Sequence, residues 1–266
     1  MLAALWRQIR NLYIRRRIPI AVATLGAGVS LAAAVISALF TIAVLGRFFE
    51  TRKPHNLMWS VGLGMFMVVA LVQFFAEMTG WTDRLFKSWY VMGTGLVGFL
   101  GSGSVYIVHR KIGHAFGAFV LLMLVAFVAA AAVSATDPAA LATFTAGAPP
   151  DPAGWADTTP RRFSPLFTIP GSMALIGIAL VGLVRYRLMY NLPIAGGAVV
   201  LAVGTGLARL GIPSLIYAAE FAGIAIMFFG FLKAIEWAKE RARGTPLPPM
   251  PSETETTVPA ALSAPK

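Results

Sequence analysis

Long apolar runs broken by short polar clusters set the rhythm of this chain, and most runs match the thickness of a bilayer. A helix needs about 20 apolar residues to cross the hydrocarbon core. The pattern predicts such helices at residues 18–45, 57–77, 89–108, 115–134, 166–184, 192–210 and 213–235. Ahead of them, MLAALWRQIRNLYIRRR puts Leu2, Leu5, Trp6, Ile9, Leu12 and Tyr13 on one stripe with arginines elsewhere. Residues 1–17 therefore read as a basic amphipathic helix on the membrane surface. The run that follows is far longer than the about 7–15 residues of a cleaved leader's apolar core, so it reads as a retained span. Residues 135–163, rich in Pro, Ala, Thr and Asp, form the only connection long enough for a lid or contact surface. Residues 238–266, rich in Pro, Thr and Ser, are expected to be disordered. The expected fold is all-α, a polytopic seven-transmembrane-helix bundle.

Finer patterning adds three expectations. Asn56 stands where an N-cap for the second span would be. In the third span Gly95, Gly98 and Gly101 recur every third residue with Ser102 and Ser104 beside them, a spacing that lets helix backbones approach closely. A phosphate-loop reading of that stretch fails, because no strand precedes it and no Lys follows in register. Finally, spans two and six both begin on Asn-Leu (Asn56-Leu57, Asn191-Leu192), and spans three and seven both open with Ser and an aromatic. That echo suggests a 3+1+3 parallel pseudo-repeat, a device of transporter folds.

Composition narrows the class. Residues are 58% hydrophobic and 12% charged, against about 25% charged in soluble domains. The net charge of +11 does not point to nucleic acid, because the Lys and Arg clusters flank apolar runs, where they orient spans and meet lipid headgroups. The lipid bilayer is the expected partner. The chain has no Cys, which removes disulfides and thiolate metal sites. Basic residues nearly balance between the two faces. Setting residues 1–17 aside leaves the face of the C-terminus the richer, so that end is expected in the cytoplasm.

Few residues carry chemistry. Glu220 and Arg209 lie in the last two spans, on either side of the Gly211-Ile212-Pro213 turn. An ionisable residue at membrane depth costs about 2.5–3.5 kcal/mol on insertion scales, so it marks a paired or a functional site. The pair either locks the fold or leaves Glu220 to titrate or to bind a ligand's ammonium or hydroxyl. Gln73 and Glu77 share one face of span two, at headgroup level or in the same site, and Ser104 completes the candidate set. His55, His109 and His114 sit at span ends, too shallow for haem between helices, and no carboxylate or Cys accompanies them at metal-ligand spacing. Lys233 lies at the end of its span and span three has no acid, against a retinal Schiff base. No catalytic set is visible, and no enzyme or cofactor is expected.

The basic loop RKPHNLMWSVGLGMF, the EMTGWT turn and the aromatic-led third helix resemble seven-helix bacterial integral membrane proteins of unassigned activity. The chain is also similar to the seven-helix sensor modules that precede histidine kinases, although no kinase domain follows Trp237. The resemblance implies a multi-pass protein of the cell (inner) membrane. It implies a non-enzymatic sensor or accessory protein that binds a small amphipathic ligand within the bundle and signals through a membrane protein partner. A small-solute or proton-coupled transporter and a scaffold of a membrane complex are the alternatives.

Overall fold

The structure is a computed structural model describing the backbone of residues 2–143, 154–186, 189, 191–209 and 215–242. Side chains are described from Leu25 onward, except at 143, 186, 208, 209 and 238–242. The helices are α1 (Leu2–Thr51), α2 (Pro54–Thr79), α3 (Asp83–Val108), α4 (Arg110–Val133), α5 (Pro138–Thr143), α6 (Phe163–Tyr186), α7 (Asn191–Arg209) and α8 (Ile216–Ala242). Among the described residues the extended structure is one isolated bridge, Thr136 to Trp155. Six helices are long and apolar enough to cross a membrane: α1 over Leu25–Thr51, α2, α3, α4, α6 with its leading 3-10 turn, and α8 over Ile216–Trp237. The protein is an all-α, multi-pass membrane protein. The remaining expected span, 192–210, is α7, whose described apolar stretch Asn191–Leu207 is shorter. α1 runs unbroken through residues 17 and 18, and 243–266, most of the tail expected to be disordered, lie outside the described residues.

Local chemistry sets the helix ends. α2 starts at Pro54, whose fixed φ suits the first helical position. Asn56 is therefore not the cap but sits inside the first turn, its Nδ2 donating to Thr51 Oγ1 at 3.0 Å. Gly80, at φ 87, ends α2 in a conformation that disfavours a side chain. Thr82 caps α3 by accepting from the Leu85 amide at 3.4 Å, and Asp83 lies in its first turn, where a negative charge suits the dipole. His109 caps α4, its Nδ1 accepting from the Ile112 amide at 3.3 Å.

The helices close into a ring. α1 packs on α2, α2 on α3, α3 on α6, α6 on α7, α7 on α8, and α8 back on α1. α4 lies outside, against α3. Its span has a mean hydropathy of 2.7 and is 17% buried, against 1.6 and 61% for α3, so α4 faces lipid and α3 is central. α3 and α6 run parallel, with Gly98 beside Phe167 and Gly101 beside Gly171. A Cβ on Gly101 would lie 2.5 Å from the Gly171 carbonyl oxygen. The expected close approach thus occurs, backbone against backbone. α1 and α8 are also parallel: Gly26 meets Tyr217, and Phe40 stacks on Phe228 with centroids 5.0 Å apart.

The long connection is pinned to the end of the bundle where α3 begins. Trp155 is 1% exposed, packed edge-on against Phe86 and Tyr90 at 5.2 and 5.7 Å. Thr136 Oγ1 donates to Asp83 Oδ1 at 2.7 Å, and Arg161 Nη2 donates to the Trp155 carbonyl at 2.7 Å. Asp157 accepts from the Thr159 amide at 2.9 Å and from its hydroxyl at 3.0 Å, and the amide bond foremost holds its carboxyl below the usual range.

Candidate functional site

An apolar helix gives a polar side chain few places to go, so the positions where such side chains meet across helices are informative. Gln73 and Glu77, four residues apart, project from one face of α2 near its end. Tyr217 and Glu220, three apart, project from one face of α8 near its start. The antiparallel arrangement brings the two faces together. Gln73 Nε2 donates to Glu220 Oε1 at 3.2 Å, and Tyr217 Oη donates to Glu77 Oε1 at 2.9 Å. α1 completes the cluster at Gly26, where a Cβ would come within 3.1 Å of Glu77 Oε2 and 3.4 Å of the Tyr217 ring. A rise of 1.5 Å per residue puts Gln73 about 9 Å inside the end of α2 and Glu220 about 6 Å inside the start of α8.

Burial is uneven across the cluster. Gln73 is 0% exposed and Tyr217 is 4% exposed, while Glu220 is half-buried against protein. Gln73 Oε1 has no hydrogen-bond partner. On α1 the same is true of Ser30 Oγ, one turn beyond Gly26. Buried amide and hydroxyl oxygens are nearly always paired in proteins, so unpaired ones mark a place where a hydrogen-bond partner belongs, a donor in the case of Gln73 Oε1. No grouping of three His, Cys, Asp or Glu that could hold a metal occurs among the described residues.

Three of the five candidate residues, Gln73, Glu77 and Glu220, come together here. Gln73 is fully buried and faces α8, its amide bonded to the Glu220 carboxylate. Arg209 is the last residue of α7, and its side chain lies outside the described ones, as does the pairing expected with Glu220. Ser104 stands apart near the far end of α3, buried, its hydroxyl donating to the Leu100 carbonyl of its own helix at 3.2 Å. Among the histidines, His109 is a helix cap and His114 Nδ1 lies 3.0 Å from Tyr106 Oη. Lys233 pairs with Glu236 at 2.8 Å.

Sequence reasoning missed Tyr217 and Gly26. The signal for Tyr217 was its position three residues before Glu220, on the same helix face. Gly26 carried none, since its role is to leave room. No family model, curated protein or solved structure matches this chain.

Proposed function

We propose that this membrane protein is a non-enzymatic sensor or accessory protein that binds a small amphipathic ligand at the α1–α2–α8 cluster. The observation behind this reading is the part-buried Gln73–Glu220 hydrogen bond, which with the Tyr217–Glu77 bond joins two largely apolar helices. A carboxylate held there without a described cation is an expensive way to join two helices, and a ligand's polar head repays it. The ligand would enter from the bilayer of the cell membrane, with the C-terminus in the cytoplasm, where a membrane protein partner takes up the signal.

A second reading, a proton-coupled or small-solute carrier, draws on the ring. If α1–α3 and α6–α8 are parallel repeats, the α3–α6 and α1–α8 contacts are equivalent, and both are parallel pairs. One experiment separates the two. Purified protein is screened for thermal stabilisation by small amphipathic molecules, and reconstituted vesicles are assayed for proton-driven flux beside Glu220→Gln. A stabilising ligand without flux supports the sensor, and flux that Glu220→Gln abolishes supports the carrier. Neither response overturns both.

A further inference from the structure

The α1–α2–α8 cluster holds a buried acceptor to spare. Gln73 gives one of its two amide hydrogens to Glu220, while its own Oε1, fully buried, accepts from nothing. The hydroxyl proton of Tyr217 is given to Glu77. Among the described residues no Lys, Arg or His pairs with Glu220. A carboxylate and an amide oxygen in such a place are costly unless something donates to them. The best donor to a carboxylate is itself charged.

The surroundings specify the rest of the molecule. A groove of ≈ 220 Å³ lies on the α1–α8 seam, lined by Leu25, Gly28, Val29, Ala32 and Phe221. These α1 positions recur every three or four residues, as one stripe, and Leu25 is 69% exposed, so the groove opens towards lipid. Leu25 adjoins Gly26 and Phe221 adjoins Glu220, which puts groove and acceptors at the same level of the bundle. The groove is smaller than the about 300–1,000 Å³ of drug-sized pockets. That suits a single alkyl chain better than a fused ring system.

The geometry points to a site for a primary alkylammonium amphiphile. Its N–H groups donate to Gln73 Oε1 and the Glu220 carboxylate, and its chain lies in the α1–α8 groove, reached sideways from the bilayer. This assignment rests on the ligand-binding reading above and narrows it to one head group. A neutral head leaves the charge of Glu220 unmatched, and an anionic head is repelled by it.

The test uses the full chain in an uncharged detergent, with dodecylamine, dodecyltrimethylammonium and dodecanol as probes and calorimetric binding as the readout. Dodecylamine is expected to bind, and the trimethyl analogue, equal in charge but without N–H, to bind roughly tenfold more weakly or worse. Glu220→Gln keeps the shape and weakens dodecylamine roughly ten- to hundredfold. Gly28→Leu fills the groove at a position where an added Cβ meets nothing within 4 Å, so it folds normally and loses the amphiphile. Equal binding of dodecylamine by wild type and Glu220→Gln, or equal binding of dodecylamine and dodecanol, overturns the ammonium assignment and leaves the ligand-binding reading standing. Binding of none of the three overturns both.

Discussion

Replacing Gly101 by alanine tests whether the α3–α6 seam is as tight as its geometry implies. The added Cβ would stand 2.5 Å from the carbonyl oxygen of Gly171 and 2.6 Å from its Cα. Both are backbone atoms, so no side chain can turn aside to make room. Carbon atoms pack best at about 3.5–4.0 Å, so the helices must part by roughly 1 Å. A Cβ on Gly171 would likewise run into the Val97 carbonyl, and Phe167 fills the space over Gly98, so the separation spreads along the crossing. Overpacking of this kind costs about 1–3 kcal/mol, and backbone-on-backbone contact belongs at the upper end. Alanine returns about 1 kcal/mol of helix propensity, leaving a net loss of about 2 kcal/mol. Gly177 on α6 is the matched control. Nothing lies within 4 Å of a Cβ there, so Gly177→Ala should stabilise by up to about 1 kcal/mol. The assay is unfolding of purified protein in mixed micelles titrated with SDS, followed by near-UV circular dichroism. If Gly101→Ala unfolds at the same SDS fraction as Gly177→Ala, or later, the tight crossing is wrong.

Trp155→Ala should release the long connection, because truncating a buried Trp costs about 3–5 kcal/mol; protease cleavage between Ser134 and Pro160 should accelerate while the α3–α6 seam keeps its SDS midpoint. Asp157 gives the same connection an acid limb. Its carboxyl is lowered in the folded state, chiefly by the Thr159 amide. Docking therefore gains from the ionised form above the free carboxyl's value and loses it as pH falls through the lowered one. Cleavage should rise below about pH 4 in wild type and rise less in Asp157→Asn, where the Thr136–Asp83 bond remains. Ser37→Ala removes a buried hydrogen bond from Oγ to the Leu63 carbonyl at 2.8 Å. It should cost only about 0.6 kcal/mol, the average for interhelical bonds in membrane proteins; a loss of several kcal/mol in SDS titration would refute that estimate.

The helices were legible in the sequence because a bilayer leaves the chain little choice, and hydropathy alone locates α2, α3, α4 and α8. The glycines of α3 announced a close approach, but nothing in a single helix says which neighbour it meets. Gly171, which it meets on α6, stands next to Pro170, and nothing in that pair marks a crossing point. The site was half legible for the same reason. Glu220, Gln73 and Glu77 stand out as polar residues in apolar runs, yet the bond joining Gln73 to Glu220 spans 147 positions. Arg209 was the more attractive partner because it is near in sequence and opposite in charge. Tyr217 stayed hidden because a tyrosine near a span end reads as an interfacial belt residue.

The ring closes through two parallel seams of different character, and the cluster lies on one of them. At α3–α6 the contact is backbone on backbone at Gly101 and Gly171, and such a contact has no side chains whose rotamers could change. At α1–α8 the contact is made by side chains: Phe40 against Phe228 and Phe231, and the Tyr217 ring over Gly26. Packed side chains have alternative arrangements separated by small energies, which is what a responsive element requires. A ligand can shift such an element only through different contacts in its two arrangements, and Gln73, Glu77, Tyr217 and Glu220 straddle this compliant side of the ring. On the proposed ligand-binding reading, this is the seam that a bound molecule would act on.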